Sequence, residues 1–524
     1  MRDFQTPGRS AVFAANGMCA TSHPLAAATA VDILKSGGNA VDAAIAAAVL
    51  LGICEPQMTG IGGDCFALIS KPGEDVIGIN GSGRAPTALD TAALREAGHK
   101  AVPPDHIASV TVPGAMHAFC TMSEAHGRLG LDRLLAPAIR YADEGVPVAP
   151  RTAFDWAEGA AILQGAARRH YLVQGAVPKV GTMFRAPGQA EVLRRVAAEG
   201  PAGFYDGEVA EDMLTSLAGL GGAHDADDFG RIATDRVDPI SGRYGSADLI
   251  ELPPNGQGAT AILMAAILSQ FDLAGMDPLG ADRAHVEAEA AKLAYDARNR
   301  FLADADHVTR IEHMLDPDTA RRLAGLIEMD RALPDPMAAA GHIHRDTVYL
   351  TVVDRDRMAV SLIYSIFHSF GSGMASDRFG ILFQNRGAGF ALDPAHPNDA
   401  AGGKRPMHTI IPAMLAREGR VAMPFGVMGG AYQPAGHARV LANIESYGMD
   451  PQAAIDAPRS FPEAGRLTLE TGYPESVAAD LAGRGHDVVR AAAPLGGAQA
   501  IAIHTDGVLE GASDPRKDGL AIGY

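Results

Sequence analysis

Clustered basic residues are missing from this 524-residue chain, in which 44 Lys and Arg face 62 Asp and Glu for a formal net charge of −18. That balance excludes a nucleic-acid-binding surface, because phosphate contacts need grouped cations. Cysteine is scarce as well: Cys19, Cys54, Cys65 and Cys120 form neither a C-x-x-C pair nor a zinc spacing. Free thiols in a reducing compartment follow, rather than a disulfide framework. The longest apolar run, Ala43 to Ile53, is far shorter than a membrane span, so no membrane association is expected. The opening Met1-Arg2-Asp3-Phe4-Gln5 lacks the apolar centre of a signal peptide, and a cytoplasmic location is expected. Three familiar catalytic signatures are absent too: the G-x-S-x-G elbow, H-E-x-x-H and the G-K-[ST] phosphate loop.

What the chain does have is small apolar residues and 60 glycines, a composition suited to close packing and tight turns. Pro24 to Lys35 reads as a helix with Pro at its start and Gly37-Gly38 as its stop. Asn39 is placed to cap a second helix through Val41 to Leu51, whose Ala-rich surface predicts burial against a sheet or a sister helix. Phe66–Ile69 and Val76–Ile79 read as strands. A mostly helical stretch is expected from about Leu89 to Ile327, with a strand near Ala247–Leu252 and a regular helix over Ala281–Asp304. The Gly60–Asp64 run precedes a strand instead of following one, so it reads as a tight turn against neighbouring backbone. Arg331 to His344 carries prolines and little periodicity and reads as an exposed linker. Two strands follow it, Thr347–Val353 and Met358–Tyr364. The first alternates, with Thr347, Tyr349 and Thr351 on one face and Val348, Leu350 and Val352 on the other. Further strands are expected near Val421, Leu467, Ala500 and Val508, and helices over Ala435–Tyr447 and Pro474–Ala482. Strands mixed with helices in this order suit a layered α+β sheet architecture.

The junction Arg345-Asp346-Thr347 is the most informative point. A threonine that opens a strand just after a linker can be released by cutting the Asp346–Thr347 bond. Its α-amine, with a pKa of about 7.7–8.0, would then serve as base for its own hydroxyl. His342 and His344 stand in the same linker without further ligands, so they read as solvated and no metal is expected.

Several blocks together resemble the γ-glutamyltranspeptidase family over nearly the whole chain. They are Gly17–Leu25, Gly37–Ala43, Gly60–Asp64, Gly81–Pro86, Val112-Pro-Gly114, Asp346–Asp354, Lys404-Arg-Pro406, Gly429-Gly430 and the ending Gly511–Arg516 to Tyr524. The resemblance implies an Ntn-hydrolase αββα four-layer sandwich, made of a heavy segment (1–346) and a light segment (347–524) that stay associated after self-cleavage. It implies that Thr347 is both processing and catalytic nucleophile, with Asp346 as the residue before the cut. Backbone N–H groups of Gly429 and Gly430 would form the oxyanion hole, which suits glycines because backbone must approach the substrate closely. Ser365 would assist the threonine hydroxyl, and Thr351 would help orient it.

Departures from the family pattern fall on the substrate pocket. The stretch Leu382–Phe390 has Arg386 and Gly389 where readers of a substrate amino group belong. Phe367 replaces a typical Asn, and His408-Thr409 replace a Ser-Ser pair. The carboxylate-binding Arg is displaced, with Arg84 two places further on as a substitute. These changes resemble the divergent branch that includes oxamate amidohydrolase. The implied activity is hydrolysis or acyl transfer on γ-glutamyl amides of the glutathione type. Small carboxylate-bearing amides such as oxamate are the rival substrates, and an unprocessed, non-catalytic binding protein is the alternative of another class. No cofactor is implied, the partner is a small-molecule amide, and the oligomeric state is left open, a homodimer included.

Overall fold

The all-buried helix Ala40–Cys54 shows how the sequence builds the outer layer. Asn39 accepts from the backbone N–H groups of Val41 and Asp42, and the Asp42 carboxylate accepts from Asn39 N at 2.9 Å, a reciprocal capping box. A helix apolar on every side must be covered on every side. Here the helices Pro24–Lys35, Ala115–His126 and Leu131–Glu144 and a β-sheet do so.

The computed structural model describes residues 8–334 and 347–524. Two seven-stranded sheets dominate it. The first runs, in spatial order, Leu520–Gly523, Met18–Thr21, Val348–Val353, Ala359–Ser365, Asp64–Ser70, Ile77–Gly81 and Asp235–Val237. The second runs Val12–Ala14, Leu509–Ser513, Gly497–Ile503, Arg420–Met428, Ala413–Arg417, Ala247–Glu251 and Ile240–Tyr244. Three apolar cores separate four layers. Val348, Leu350 and Val352 face the helices outside the first sheet. Tyr349, Ile363, Met414 and Ile501 fill the space between the sheets. Phe425, Val427 and Ala500 pack beneath the helices Gly258–Leu268, Ala281–Phe301 and Gln433–Glu445. The architecture is therefore the α+β, αββα sandwich, and strands from both sides of the 346/347 junction interleave in each sheet.

The stretch expected to be mostly helical holds more strand than the sequence suggested. Asp235–Val237 and Ile240–Tyr244 are short, half-exposed strands at the margins of the two sheets, and their polar residues hide the alternation. The strand expected from Thr347 begins at Val348, and its partner is Ala359–Ser365. The linker expected over Arg331–His344 falls mostly outside the described residues, as do His342, His344 and Asp346. Among the described residues no helix is long and apolar enough to cross a membrane, and all four cysteines are buried and unpaired.

Burial makes several histidines hard to protonate. It pulls His23 and His224 down to about 4, and His408 and His486 to about 3. The unfolded chain binds these protons near pH 6.5 while the folded chain does not, so stability falls as pH drops below that value. Buried Glu55, raised to about 7, opposes this, because the folded chain keeps its proton where the unfolded chain has lost it. His117, His126 and His285 are lowered too, while Glu251, Asp354 and Asp456 are raised like Glu55. Seven histidines against four carboxyls leave a net acid sensitivity, with a slope of up to about 1.4 kcal/mol per pH unit for each group. The urea midpoint is expected to fall clearly between about pH 7.5 and about pH 5. An unchanged midpoint would contradict it.

Candidate active site

Thr347 is buried and stands immediately before the strand Val348–Val353. Two residues along on the same face, Tyr349 packs its ring against Gly426 of the opposite sheet, so closely that a Cβ there would lie 2.3 Å from the ring. That strand ends at Met428, and Gly429-Gly430 follow directly.

A continuous chain of hydrogen bonds joins these two points. The Thr347 hydroxyl lies 3.3 Å from Ser365 Oγ, on the neighbouring strand. Arg386 Nη2 donates to the same Ser365 Oγ at 3.2 Å, and Arg386 Nη1 donates to Thr409 Oγ1 at 3.0 Å. The Thr409 carbonyl accepts from Gln257 Nε2 at 2.6 Å, and that same nitrogen reaches the Gly430 carbonyl at 3.1 Å. Thr347, Ser365, Arg386, Thr409 and Gly430 therefore belong to one constellation.

Glycine is required at the turn. Gly429 and Gly430 have φ of 123° and 54°, and a Cβ on Gly429 would stand 3.0 Å from the Gly496 backbone. The Gly60–Asp64 run is the expected close-approach turn: Cβ atoms on Gly62 and Gly63 would meet the carbonyls of Leu382 and Ser365 at 2.1 and 2.4 Å.

Arg386 is fully buried, yet its hydrogen-bond partners are the two neutral hydroxyls, and its Nε has no acceptor among the described residues. Its face stacks on the Phe367 ring at 4.2 Å, a cation–π contact. Phe367 is held there in a left-handed conformation (φ 80°), with its N–H on Ser365 Oγ at 2.9 Å. Such a conformation costs a bulky residue roughly 1–3 kcal/mol, so the surroundings impose it. Burial disfavours the guanidinium charge, drawing its pKa down to about 9, while the Asp64 carboxylate supports it. Asp64 makes no ion pair with it, because its oxygens are taken. They accept from Gly83 N at 2.9 Å, Gly114 N at 3.2 Å, Gln384 Nε2 at 2.9 Å and His408 Nε2 at 3.0 Å. His408 is kept neutral by burial and by the charge of Arg386, and it braces Asp64.

Not every residue singled out from sequence joins this group. Thr351 gives its hydroxyl to the Val360 carbonyl at 3.0 Å, about 13 Å along the strand from Thr347, so it reaches neither Thr347 nor Ser365. Arg84 pairs with Asp304 at 3.2 Å, and its side chain is 41% exposed. It lines a separate cavity of about 410 Å³ with Ser82, Thr87, Arg231 and Arg405. Gly389 closes on the Met407 carbonyl, which a Cβ would approach to 2.8 Å. Asp64 and Gln257 were missed as site residues. The Gly-rich block ending in Asp64 was the available signal for the first, whereas nothing local marks Gln257.

Comparison with known proteins shows the family and the fold. The γ-glutamyltranspeptidase family model matches residues 26–524. The chain is 36% identical to the oxamate amidohydrolase proenzyme of Klebsiella pneumoniae subsp. pneumoniae, over 97% of this chain and 98% of that protein. It is 33% identical to the glutathione hydrolase-like YwrD proenzyme of Bacillus subtilis, over 97% and 98% respectively. The crystal structure of cephalosporin acylase from Bacillus halodurans superposes with a TM-score of 0.92 at 38% identity, covering 100% of this chain and 99% of that one.

Proposed function

From the premise that the chain belongs to the γ-glutamyltranspeptidase family, we propose that it is a self-processing N-terminal-threonine hydrolase of small amides bearing a carboxylate near the scissile carbonyl. Cleavage of the Asp346–Thr347 bond would divide it into a heavy segment (1–346) and a light segment (347–524), which the interleaved strands would hold together. Thr347 Oγ1 then attacks the amide carbon, and the Thr347 α-amine takes the hydroxyl proton and passes it to the leaving nitrogen. Backbone N–H groups of Gly429 and Gly430 meet the oxyanion, and Ser365 orients the attacking hydroxyl. Water cleaves the resulting ester, releasing the acid and restoring Thr347. Amine, hydroxyls and backbone donors fill every role, so the reading needs no metal or organic cofactor. A reducing, cytoplasmic setting suits its four unpaired cysteines.

The observation that carries the substrate class is Arg386: a buried cation whose bonds go to neutral hydroxyls beside the nucleophile. A guanidinium without an ion pair is best completed by a carboxylate, which it can bind in a fork. A γ-glutamyl donor would also bring an α-ammonium, which Arg386 repels and the fully engaged Asp64 does not meet. Carboxylate-bearing amides such as oxamate therefore stand ahead of γ-glutamyl amides. The test is product release over a panel of oxamate, a neutral amide of the same size and a γ-glutamyl anilide. Oxamate-type amides are expected to give at least roughly tenfold higher kcat/KM than either competitor. Preference for the γ-glutamyl anilide would reverse the assignment, and no turnover by a cleaved preparation would favour a binding role.

A further inference from the structure

The Gly429-Gly430 turn has little conformational preference of its own, since glycine adopts positive φ as readily as negative. Its shape must be imposed from outside, and three consecutive carbonyls show how. The Gly429 carbonyl accepts from Tyr432 N at 3.0 Å, the Gly430 carbonyl from Gln257 Nε2 at 3.1 Å, and the Ala431 carbonyl from the Tyr295 hydroxyl. Two of these pins come from residues N-terminal to the 346/347 junction.

Gln257 has the wider reach. It is fully buried, and its amide nitrogen donates to two carbonyls, those of Thr409 (2.6 Å) and Gly430 (3.1 Å). Its Oε1 accepts from Arg298 Nη1 at 3.0 Å. Arg298 is in turn fixed by Asn299 Oδ1, at 3.0 and 2.9 Å from its Nε and Nη2, and by the Tyr295 ring 4.5 Å away. Both donors and the acceptor of the amide are thus engaged, and a flipped amide would aim an oxygen at two carbonyls. Thr409, whose carbonyl it holds, presents the hydroxyl that takes Arg386.

We infer that Gln257 is a positioning residue that sets the oxyanion turn at Gly430 against the anion-binding arm of Thr409 and Arg386. The inference rests on the reading of Gly429 and Gly430 as oxyanion donors. Losing Gln257 would free the Gly430–Ala431 peptide and loosen the Gly430 backbone, whose N–H on the preceding peptide faces the oxyanion. Contacts made only in the transition state would weaken, so kcat falls while KM does not.

Two variants test it, assayed as cleaved protein on the fastest amide of the panel above. Gln257→Met keeps the side-chain length and removes every polar atom. Gln257→Glu keeps the acceptor for Arg298, which favours folding, and removes both donors. Each is expected to lower kcat about 10- to 100-fold, with KM within about threefold of the parent. Arg386→Ala should show the opposite split, raised KM with kcat largely kept. A kcat within about twofold of the parent in Gln257→Glu would overturn the positioning role whatever Gln257→Met does. If Arg386→Ala is silent while both Gln257 variants are slow, the positioning role stands and the carboxylate assignment fails.

Discussion

Arg386→Ala is expected to raise KM for a carboxylate-bearing amide about 100-fold, a loss of roughly 2–3 kcal/mol typical of a charge-assisted hydrogen bond removed from a buried site. The neutral amide of the same size should be almost unaffected, because it never used the charge. Arg386→Lys should recover only part of the loss, since it keeps the charge but not the planar fork. Self-cleavage should survive in both, because the Thr347 and Ser365 hydroxyls and the glycine turn are all retained. The same account predicts an effect on stability in the opposite direction. A buried guanidinium bonded to neutral hydroxyls is held at a cost, and Arg386→Met keeps its volume without its charge. A thermal midpoint raised by a few degrees, alongside the lost substrate affinity, is the expected trade. Parental KM combined with an unchanged or lower midpoint would mean that Arg386 is structural.

Thr347→Ala is expected to lower turnover by a factor of roughly 10⁴ or more, because it removes the hydroxyl that forms the ester intermediate, and an uncut chain has no free α-amine to act as base. It should also leave the chain uncut. Thr347→Ser keeps a hydroxyl at the start of the same strand, so slow cleavage and reduced but measurable activity should follow. Equal rates for Thr347→Ala and the parent would remove the nucleophile from the account.

The sequence was most informative where local chemistry decides structure. The Pro24–Lys35 helix matches its expected bounds because Pro24 and Gly37-Gly38 act through the backbone alone. The Asn39 cap and the faces of Val348–Val353 were legible for the same reason: capping and alternation are short-range. Asp235–Val237 was not, since a three-residue strand at a sheet margin carries no period to read. At the site, Thr347 and the glycine pair stood out as motifs. The burial of Arg386 did not, for it depends on Phe367, Ser365 and Thr409 closing around an Arg-Gly-Ala-Gly stretch with no local mark of burial. Thr351 shows the converse error. Its face was read correctly, but the hydroxyl bonds a carbonyl on the adjacent strand, a contact that alternation cannot foresee. Gln257 joins carbonyls 152 and 173 positions away, and no window of sequence contains that relation.

The intact mass of the purified protein, with N-terminal sequencing of each component, tests the central claim most directly. Two components are expected, 1–346 and 347–524, the second beginning with Thr347, while Thr347→Ala yields a single uncut chain. An active preparation made of one full-length chain, or a second component beginning at any other residue, would contradict it.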